Sequence, residues 1–183
     1  MKTVTVNASK TYAIKIGSGL LDTIGTEAAA LGKASRICIV SDSNVFPLYG
    51  KKVTESLEQS GFSVTQFVFP AGEQSKHAGT FLSLLNHLAA MQLTRTDLIV
   101  ALGGGVVGDL AGFTAACYLR GIRLIQVPTT LLAAVDSSVG GKTAIDLDAG
   151  KNLAGAFWHP SLVLCDTDTL STLPEDIFRD GCA

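Results

Sequence analysis

Hydrophobic positions along the chain fall into two periods. Residues 3–6 and 12–16 alternate polar and apolar, which predicts two half-buried strands. Residues 19–31 place Leu20, Leu21, Ile24 and Ala28 at helical spacing and predict the first helix. A regular rhythm follows. The β-branched run 36–40 predicts a strand, 45–60 a helix closed by Gly61, 63–69 a strand and 75–91 a helix. Residues 97–102 predict an apolar strand running into glycines, 106–120 a helix closed by Gly121, and 123–127 a strand stopped by Pro128. Strands that are apolar on both faces and alternate with helices belong in a parallel sheet with helices packed on it. The predicted class is α/β: a Rossmann-like parallel sheet flanked by helices, with an additional N-terminal strand pair.

The texture changes after Pro128. Residues 129–155 are rich in Gly, Ser, Thr and Asp, with only short apolar pieces between them. Residues 161–165 predict another strand and 167–173 a loop. Pro174-Glu175-Asp176 predicts a helix start, with Pro at the first helical position and acids in the first turn. A helix that has barely begun at Ala183 is an unusual domain ending, so the terminus reads as a truncation. Residues 1–173 form the α/β domain in this reading, and 174–183 begin a second one.

Composition narrows the possibilities. At 183 residues the chain can bury a core without disulfide or metal. Apolar residues make up 47% and charged residues 16%, which excludes disorder. A net charge of −2 gives no case for nucleic acid or an acidic membrane as partner. No apolar stretch is long enough to span a bilayer, and the first residues read as a strand rather than an export signal. The four cysteines form no Cys-x-x-Cys pair, which fits idle thiols in a reducing cytoplasm.

Candidate chemistry centres on Gly103-Gly104-Gly105-Val106-Val107-Gly108, which fits G-x-G-x-x-G between a strand and a helix. Glycines permit a tight turn and close approach of a pyrophosphate, and the helix start offers it N–H groups and a positive dipole end. Three adjacent glycines carry a conformational-entropy cost that a plain turn does not require. The motif departs from the Rossmann pattern because no acid stands about 20 residues further on to hold a ribose. Asp42, with Asn44, is the candidate acid, helix capping ahead of Val45 being the alternative role. Gly140-Gly141-Lys142-Thr143 imitates the end of a phosphate-binding loop, but Asp136 stands where the first glycine must be. Lys76, Arg120, Lys142 and Lys151 lie in or beside glycine-bearing loops or helix ends and together suggest an anionic ligand. His77, His87 and His159 show no zinc-ligand spacing and read as structural.

Several long motifs in fixed order make the chain similar to the 3-dehydroquinate synthase family. They are the stretches 103–113 (GGGVVGDLAGF), 126–132 (QVPTTLL), 135–144 (VDSSVGGKTA) and 150–152 (GKN), with 70–76 (PAGEQSK) and 173–176 (LPED). The resemblance implies an NAD-binding domain followed by a helical domain with a zinc or cobalt site, the helical part being absent here. It implies NAD contacts at Asp42, Asn44, Glu73, Lys76, Gly105, Val106, Val107, Gly108, Asp109, Thr129, Thr130, Lys142, Lys151, Thr169, Leu170, Ser171 and Thr172. It further implies substrate contacts at Asp136, Lys142 and Asn152, with Arg120 reaching the substrate phosphate across a dimer interface. The family reaction converts 3-deoxy-D-arabino-heptulosonate 7-phosphate to 3-dehydroquinate and phosphate, on the way to aromatic amino acids. It proceeds by hydride removal to NAD, phosphate elimination, hydride return, ring opening and aldol closure. The resemblance places no metal ligand in this chain, so the chain alone is expected to bind NAD without turnover and to expose an apolar face. Another sugar-phosphate cyclase, a metal- and NAD-dependent polyol dehydrogenase, and a free-standing NAD-binding module stay open as alternatives.

Overall fold

The computed structural model describes residues 1–182. Strands β1 (Lys2–Asn7) and β2 (Thr11–Gly17) pair antiparallel, as the alternation at the start of the chain predicts. Then come α1 (Ile24–Ala30), β3 (Arg36–Asp42), α2 (Lys51–Gln59), β4 (Ser63–Phe69), α3 (Ala78–Ala90), β5 (Leu98–Gly103), α4 (Gly105–Cys117) and β6 (Arg123–Pro128). A hairpin of β7 (Lys142–Leu147) and β8 (Gly150–Phe157) follows, then β9 (Leu162–Asp166) and the short α5 (Glu175–Asp180). Seven strands form one sheet in the order β1-β2-β9-β6-β5-β3-β4. All but β1 run parallel. Among the described residues no helix is long and apolar enough to cross a membrane.

Side-chain alternation on the strands builds two cores. Ile37 and Ile39 of β3, with Leu98, Val100 and Leu102 of β5, face Ile24 of α1 and Val53 and Leu57 of α2. Cys38 and Val40, with Ile99 and Ala101, face Leu84 and Leu88 of α3 and Leu110 and Ala115 of α4. The period of two sends alternate residues to opposite faces, which is why these strands read as continuous apolar runs. Burial also pushes the Cys38 thiol up to about 12, so it is an inert packing group.

Three boundaries differ from the sequence expectation. The helix expected over 45–60 begins with a π-helical turn, Phe46–Gly50, before α2. The loop expected over 167–173 is a 3-10 helix, Thr167–Thr172, whose first turn is capped by the Asp166 carboxylate. Pro174 sits at the N-cap of α5 rather than inside its first turn. The largest difference is the β7–β8 hairpin in a region given no regular element. It packs against α4, and Gly112 makes that contact possible, since a Cβ there would stand 2.3 Å from Thr143 Cγ2.

Parallel strands put all their N-terminal ends at one edge, where helix C-termini also gather. Asp97 ties that edge together. It is 1% exposed. Oδ1 accepts from the N–H groups of Ser35 and Arg36 at 2.9 and 2.8 Å, and Oδ2 accepts from Thr94 N–H at 2.7 Å. Burial alone would raise its pKa, but these backbone bonds outweigh burial and hold it below the ordinary aspartate value. A depressed folded pKa contributes stability that is present above the unfolded value and lost as pH falls. Asp97→Asn sets an NH2 group against an N–H donor and should lower stability by about 2 kcal/mol near pH 7. Urea unfolding of wild type and variant across pH checks this, the gap narrowing in acid below the ordinary aspartate range.

Candidate functional site

The order of the strands creates the cleft. β3 connects outward to β4, whereas β5 connects the other way to β6, so the chain reverses its winding between β3 and β5. Loops leaving two adjacent strands in opposite directions open a crevice at their C-terminal ends, and ligands of doubly wound sheets bind there. Ser41 of β3 pairs with Leu102 of β5, so Asp42 and the Gly103 turn stand level on either side of that crevice.

The glycine turn is shaped by space rather than by unusual backbone angles. Gly103, Gly104, Gly105 and Gly108 are absent from the residues with positive φ. A Cβ on Gly103 would meet Val107 Cγ2 at 2.5 Å, and one on Gly108 would meet Gln126 Oε1 at 2.9 Å. Gln126 Nε2 donates to Gly108 O at 3.2 Å, which locks the first turn of α4 onto β6. Gly108 N–H makes a bond to Gly104 O at 3.0 Å. The N–H groups ahead of it have no intrahelical acceptor and face the crevice with the positive end of the helix dipole.

Asp42 spends one oxygen on the backbone. Oδ1 accepts from Asn44 N–H at 2.8 Å and Val45 N–H at 2.9 Å, so the capping role is real. Thr129 follows β6 and donates its N–H to Gly103 O at 3.0 Å. Its hydroxyl is buried without a hydrogen-bond partner. A lone buried hydroxyl is unfavourable, and a polar ligand in the crevice would satisfy it. Thr130 caps the turn after β6, accepting from Ala133 N–H at 3.2 Å. Thr169 to Thr172 lie beyond β9, tied to Tyr49, whose hydroxyl donates to Thr169 O at 3.2 Å.

A second group gathers around Lys76, which is 4% exposed. Its Nζ lies 2.8 Å from Asn152 Oδ1, 3.2 Å from Asp109 Oδ2, 3.2 Å from Glu73 Oε1 and 3.7 Å from Asp146 Oδ1. Lys151 Nζ joins from outside at 3.3 Å from Glu73 Oε1. Burial opposes the Lys76 charge, yet Asp109 and Glu73 outweigh it and raise the pKa. Burial raises Asp109, with Lys76 pulling the other way and Glu73 and Asp146 adding to the rise.

Asp109, Asp136, Lys142, Asn152, Leu153 and Phe157 line a cavity of about 510 Å³ between α4, the hairpin and the turn after β6. Lys142 Nζ stands 3.0 Å from Asp136 Oδ1, both side chains exposed. Lys142 opens β7 rather than a helix, so the imitation of a phosphate-binding loop ends there. The structure thus brings Asp136, Lys142 and Asn152 together with Asp109. It does not bring Arg120. That residue ends the 3-10 turn after α4, at the opposite edge of the sheet, about 20 Å along the helix from the glycine turn. Arg120 and Leu119 have φ of 65° and 52°, and both are exposed. Asp146 and Phe157 escaped the sequence reading. Their signal was the alternation of Thr143 and Ile145 ahead of the Asp148-Ala149-Gly150 turn. Leu132, Val135, Leu153 and Phe157 are exposed, the last 80%, and Leu153 and Phe157 belong to the cavity wall.

A doubly wound α/β domain with its cleft at the switch point, floored by a glycine turn, is the architecture that dinucleotide sites use. The chain belongs to the 3-dehydroquinate synthase family, whose N-terminal family model matches residues 66–180. It is 51% identical over 174 residues to the 3-dehydroquinate synthase of Clostridium botulinum (strain Alaska E43 / Type E3), covering 95% of this chain and 50% of that one. Among solved structures, 2-deoxy-scyllo-inosose synthase complexed with carbaglucose-6-phosphate, NAD+ and Co2+ superposes with a TM-score of 0.92 at 32% identity, covering 99% of this chain and 49% of that one. The 2-epi-5-epi-valiolone synthase of Streptomyces hygroscopicus subsp. jinggangensis 5008, with NAD+ and Zn2+ bound, gives a TM-score of 0.86 at 28% identity, over 98% of this chain and 49% of that one. The chain spans about half the length of the curated relatives it matches.

Lys76 makes a sharp test of the cluster. Lys76→Met leaves Glu73, Asp109 and Asp146 facing one another without their central cation, and should remove about 3 kcal/mol of stability at pH 7.5. A carboxyl whose folded pKa is raised contributes stability at low pH that is lost as pH rises. Part of the loss should therefore return by pH 5, as thermal unfolding at the two pH values would show.

Proposed function

We propose that this chain is the cofactor-binding part of a 3-dehydroquinate synthase, which converts 3-deoxy-D-arabino-heptulosonate 7-phosphate to 3-dehydroquinate and phosphate. The observation that carries this reading is the convergence, at one edge of the sheet, of the glycine turn with the unpartnered Thr129 hydroxyl and the cavity holding Asp136, Lys142 and Asn152. The names of its relatives and the NAD+ bound by two structural neighbours support it.

In this reading NAD supplies a hydride acceptor that returns the hydride before the reaction ends. Asp42 and Asn44 receive the adenosine ribose beside β3. The backbone of Gly105, Val106, Val107, Gly108 and Asp109 cradles the pyrophosphate, and the Thr129 hydroxyl donates to the cofactor. Thr130 and the stretch Thr169, Leu170, Ser171 and Thr172 close its sides. Glu73, Lys76 and Lys151 fix the charge where cofactor and substrate meet. Lys142, steadied by Asp136, offers its ammonium to an anionic substrate oxygen, a role no neutral side chain fills as well. Asn152 hydrogen-bonds the substrate. Arg120 lies too far from this cavity to serve its own chain, so its contact with the substrate phosphate requires a second copy in a homodimer. Among the described residues no three His, Cys, Asp or Glu side chains are grouped to hold a metal, so no step is assigned here to zinc or cobalt. A metal would take its ligands from the part of the enzyme beyond this half. The reading places the enzyme in the cytoplasm and expects no steady turnover from this chain alone.

Isothermal titration of the chain with NAD and with ATP tests the cofactor; preference for ATP would overturn the assignment. Thr129→Val should weaken NAD binding by roughly threefold to tenfold, on the order of 1 kcal/mol for one hydrogen bond. The same variant should leave the unliganded melting temperature unchanged or higher, because the hydroxyl it removes has no partner. Arg120→Ala should leave NAD affinity within about twofold, since the arginine stands at the far edge.

A further inference from the structure

Irregular pairing inside the β7–β8 hairpin singles out Asp146. The ladder runs regularly from Lys142↔Phe157 to Ile145↔Ala154 and resumes at Leu147↔Gly150, so residues 151–153 stand opposite Asp146 alone. Extra residues in one strand of a pair bend it and re-aim a side chain, often beside a functional site. The re-aimed residue is Asn152, whose φ is 57°. That backbone is uncommon outside glycine, although asparagine tolerates it better than most.

Two hydrogen bonds hold Asn152 there. Its N–H donates to Asp146 Oδ1 at 2.8 Å. Its side-chain Oδ1 accepts from Lys76 Nζ at 2.8 Å. Asp146 is anchored in turn by its own N–H, which donates to Lys76 O at 2.8 Å, and His77 and Asp146 form a parallel bridge. An ammonium can only donate. The amide oxygen of Asn152 must therefore face Lys76, which leaves the NH2 group for the cavity that Asn152 lines.

We propose that Asp146 is a positioning residue of this cavity: its carboxylate holds the Asn152 backbone so that Asn152 presents N–H donors to an acceptor oxygen of the ligand. Asp146 itself is not among the cavity-lining residues. The ligand group so recognised is a hydroxyl, carboxylate or phosphate oxygen, and a ligand offering only a donor at that point is rejected. The identity of the ligand rests on the sugar-acid phosphate reading above; the geometry does not.

Nuclear magnetic resonance of the chain separates the two. In wild type, a scalar coupling across the hydrogen bond should link Asn152 N to Asp146 Cγ, and its absence overturns the proposal without need of any variant. Asp146→Ala should speed exchange of the Asn152 N–H by at least about tenfold, with core amides of β5 unchanged. Asp146→Asn keeps an acceptor oxygen and should stay within about threefold of wild type. Equal exchange in wild type and both variants overturns the positioning role. Addition of 3-deoxy-D-arabino-heptulosonate 7-phosphate should shift the Asn152 side-chain NH2 signals in wild type and Asp146→Asn, and less in Asp146→Ala. A coupling without any ligand-induced shift in wild type refutes the substrate reading and the presentation of donors, while the Asp146 bond to Asn152 stands.

Discussion

Six strands run the same way, and that shared direction decides where charge can be used in this molecule. Each strand hands the chain to the C-terminal edge of the sheet. The helices that follow β3, β4 and β5 therefore begin there and end at the other edge. Helix starts carry unpaired N–H groups and partial positive charge, and helix ends carry unpaired carbonyls. The protein answers each edge with the opposite chemistry. At the far edge, Arg36 donates to Gln92 O after α3, Arg95 to Leu119 O after α4, and Arg123 to Leu31 O after α1. Those arginines thus place positive charge against the carbonyls at helix ends. At the near edge the N–H groups of α4 ahead of Gly108 have no intrahelical acceptor and no hydrogen-bond partner among the described residues, which is where an anionic ligand has something to gain.

Close approach is the second constraint, and glycine enforces it in two different ways along α4. Gly103 and Gly108 bring the helix start down onto β5 and β6, with Gln126 bonded beneath it. Gly112, one turn further on, lets the hairpin lie against the helix through Thr143. A single helix thus fixes the glycine turn at its first turn and the β7–β8 hairpin at its middle. Asp109, between those two glycines, belongs to both: it lines the cavity and holds Lys76. The motif reads as a phosphate cradle, yet half of its glycines are there so that strands can touch the helix.

Legibility followed the physics of each signal. The alternation of apolar strands with amphipathic helices is repeated and strong, so the sheet and its helices were readable within a few residues. The acid beside the glycine turn was obscured because the Rossmann spacing assumes that the neighbouring strand comes later in the chain. Here the neighbouring strand, β3, comes earlier, so Asp42 stands beside Gly103 without any fixed sequence offset from it. The hairpin was illegible for another reason. Its strands are short, β8 is mostly exposed, and one face is covered mainly by α4, so only Thr143 and Ile145 reveal the period of two. That alternation places Asp146 on a strand but says nothing of its partner, since the bond to Asn152 depends on an irregular register that no pattern of residue types encodes.

Lys76 shows how little a residue's chemistry says about what it touches. A lysine in a glycine-bearing loop invites the reading that its charge meets a ligand phosphate. In the folded chain its ammonium has three hydrogens, and Asn152, Glu73 and Asp109 stand within bonding distance of it. Two donors are bonded to Asn152 and Asp109, and Glu73 forms an ion pair at 3.2 Å, so a ligand reaching the ammonium would compete with those partners. The buried lysine opposes the rise that burial imposes on Asp109 and fixes the rotation of the Asn152 amide. Two groups around the cavity carry its effect: the Asp109 carboxyl, which burial still holds above its ordinary pKa against the pull of Lys76, and an amide turned to offer hydrogens. Lys142 and Lys151, by contrast, are exposed, and each is paired with a single carboxylate, Asp136 and Glu73. A buried cation held by several partners and two exposed cations held by one carboxylate each supply the two things that preorganised electrostatic binding demands, a fixed frame and accessible charge.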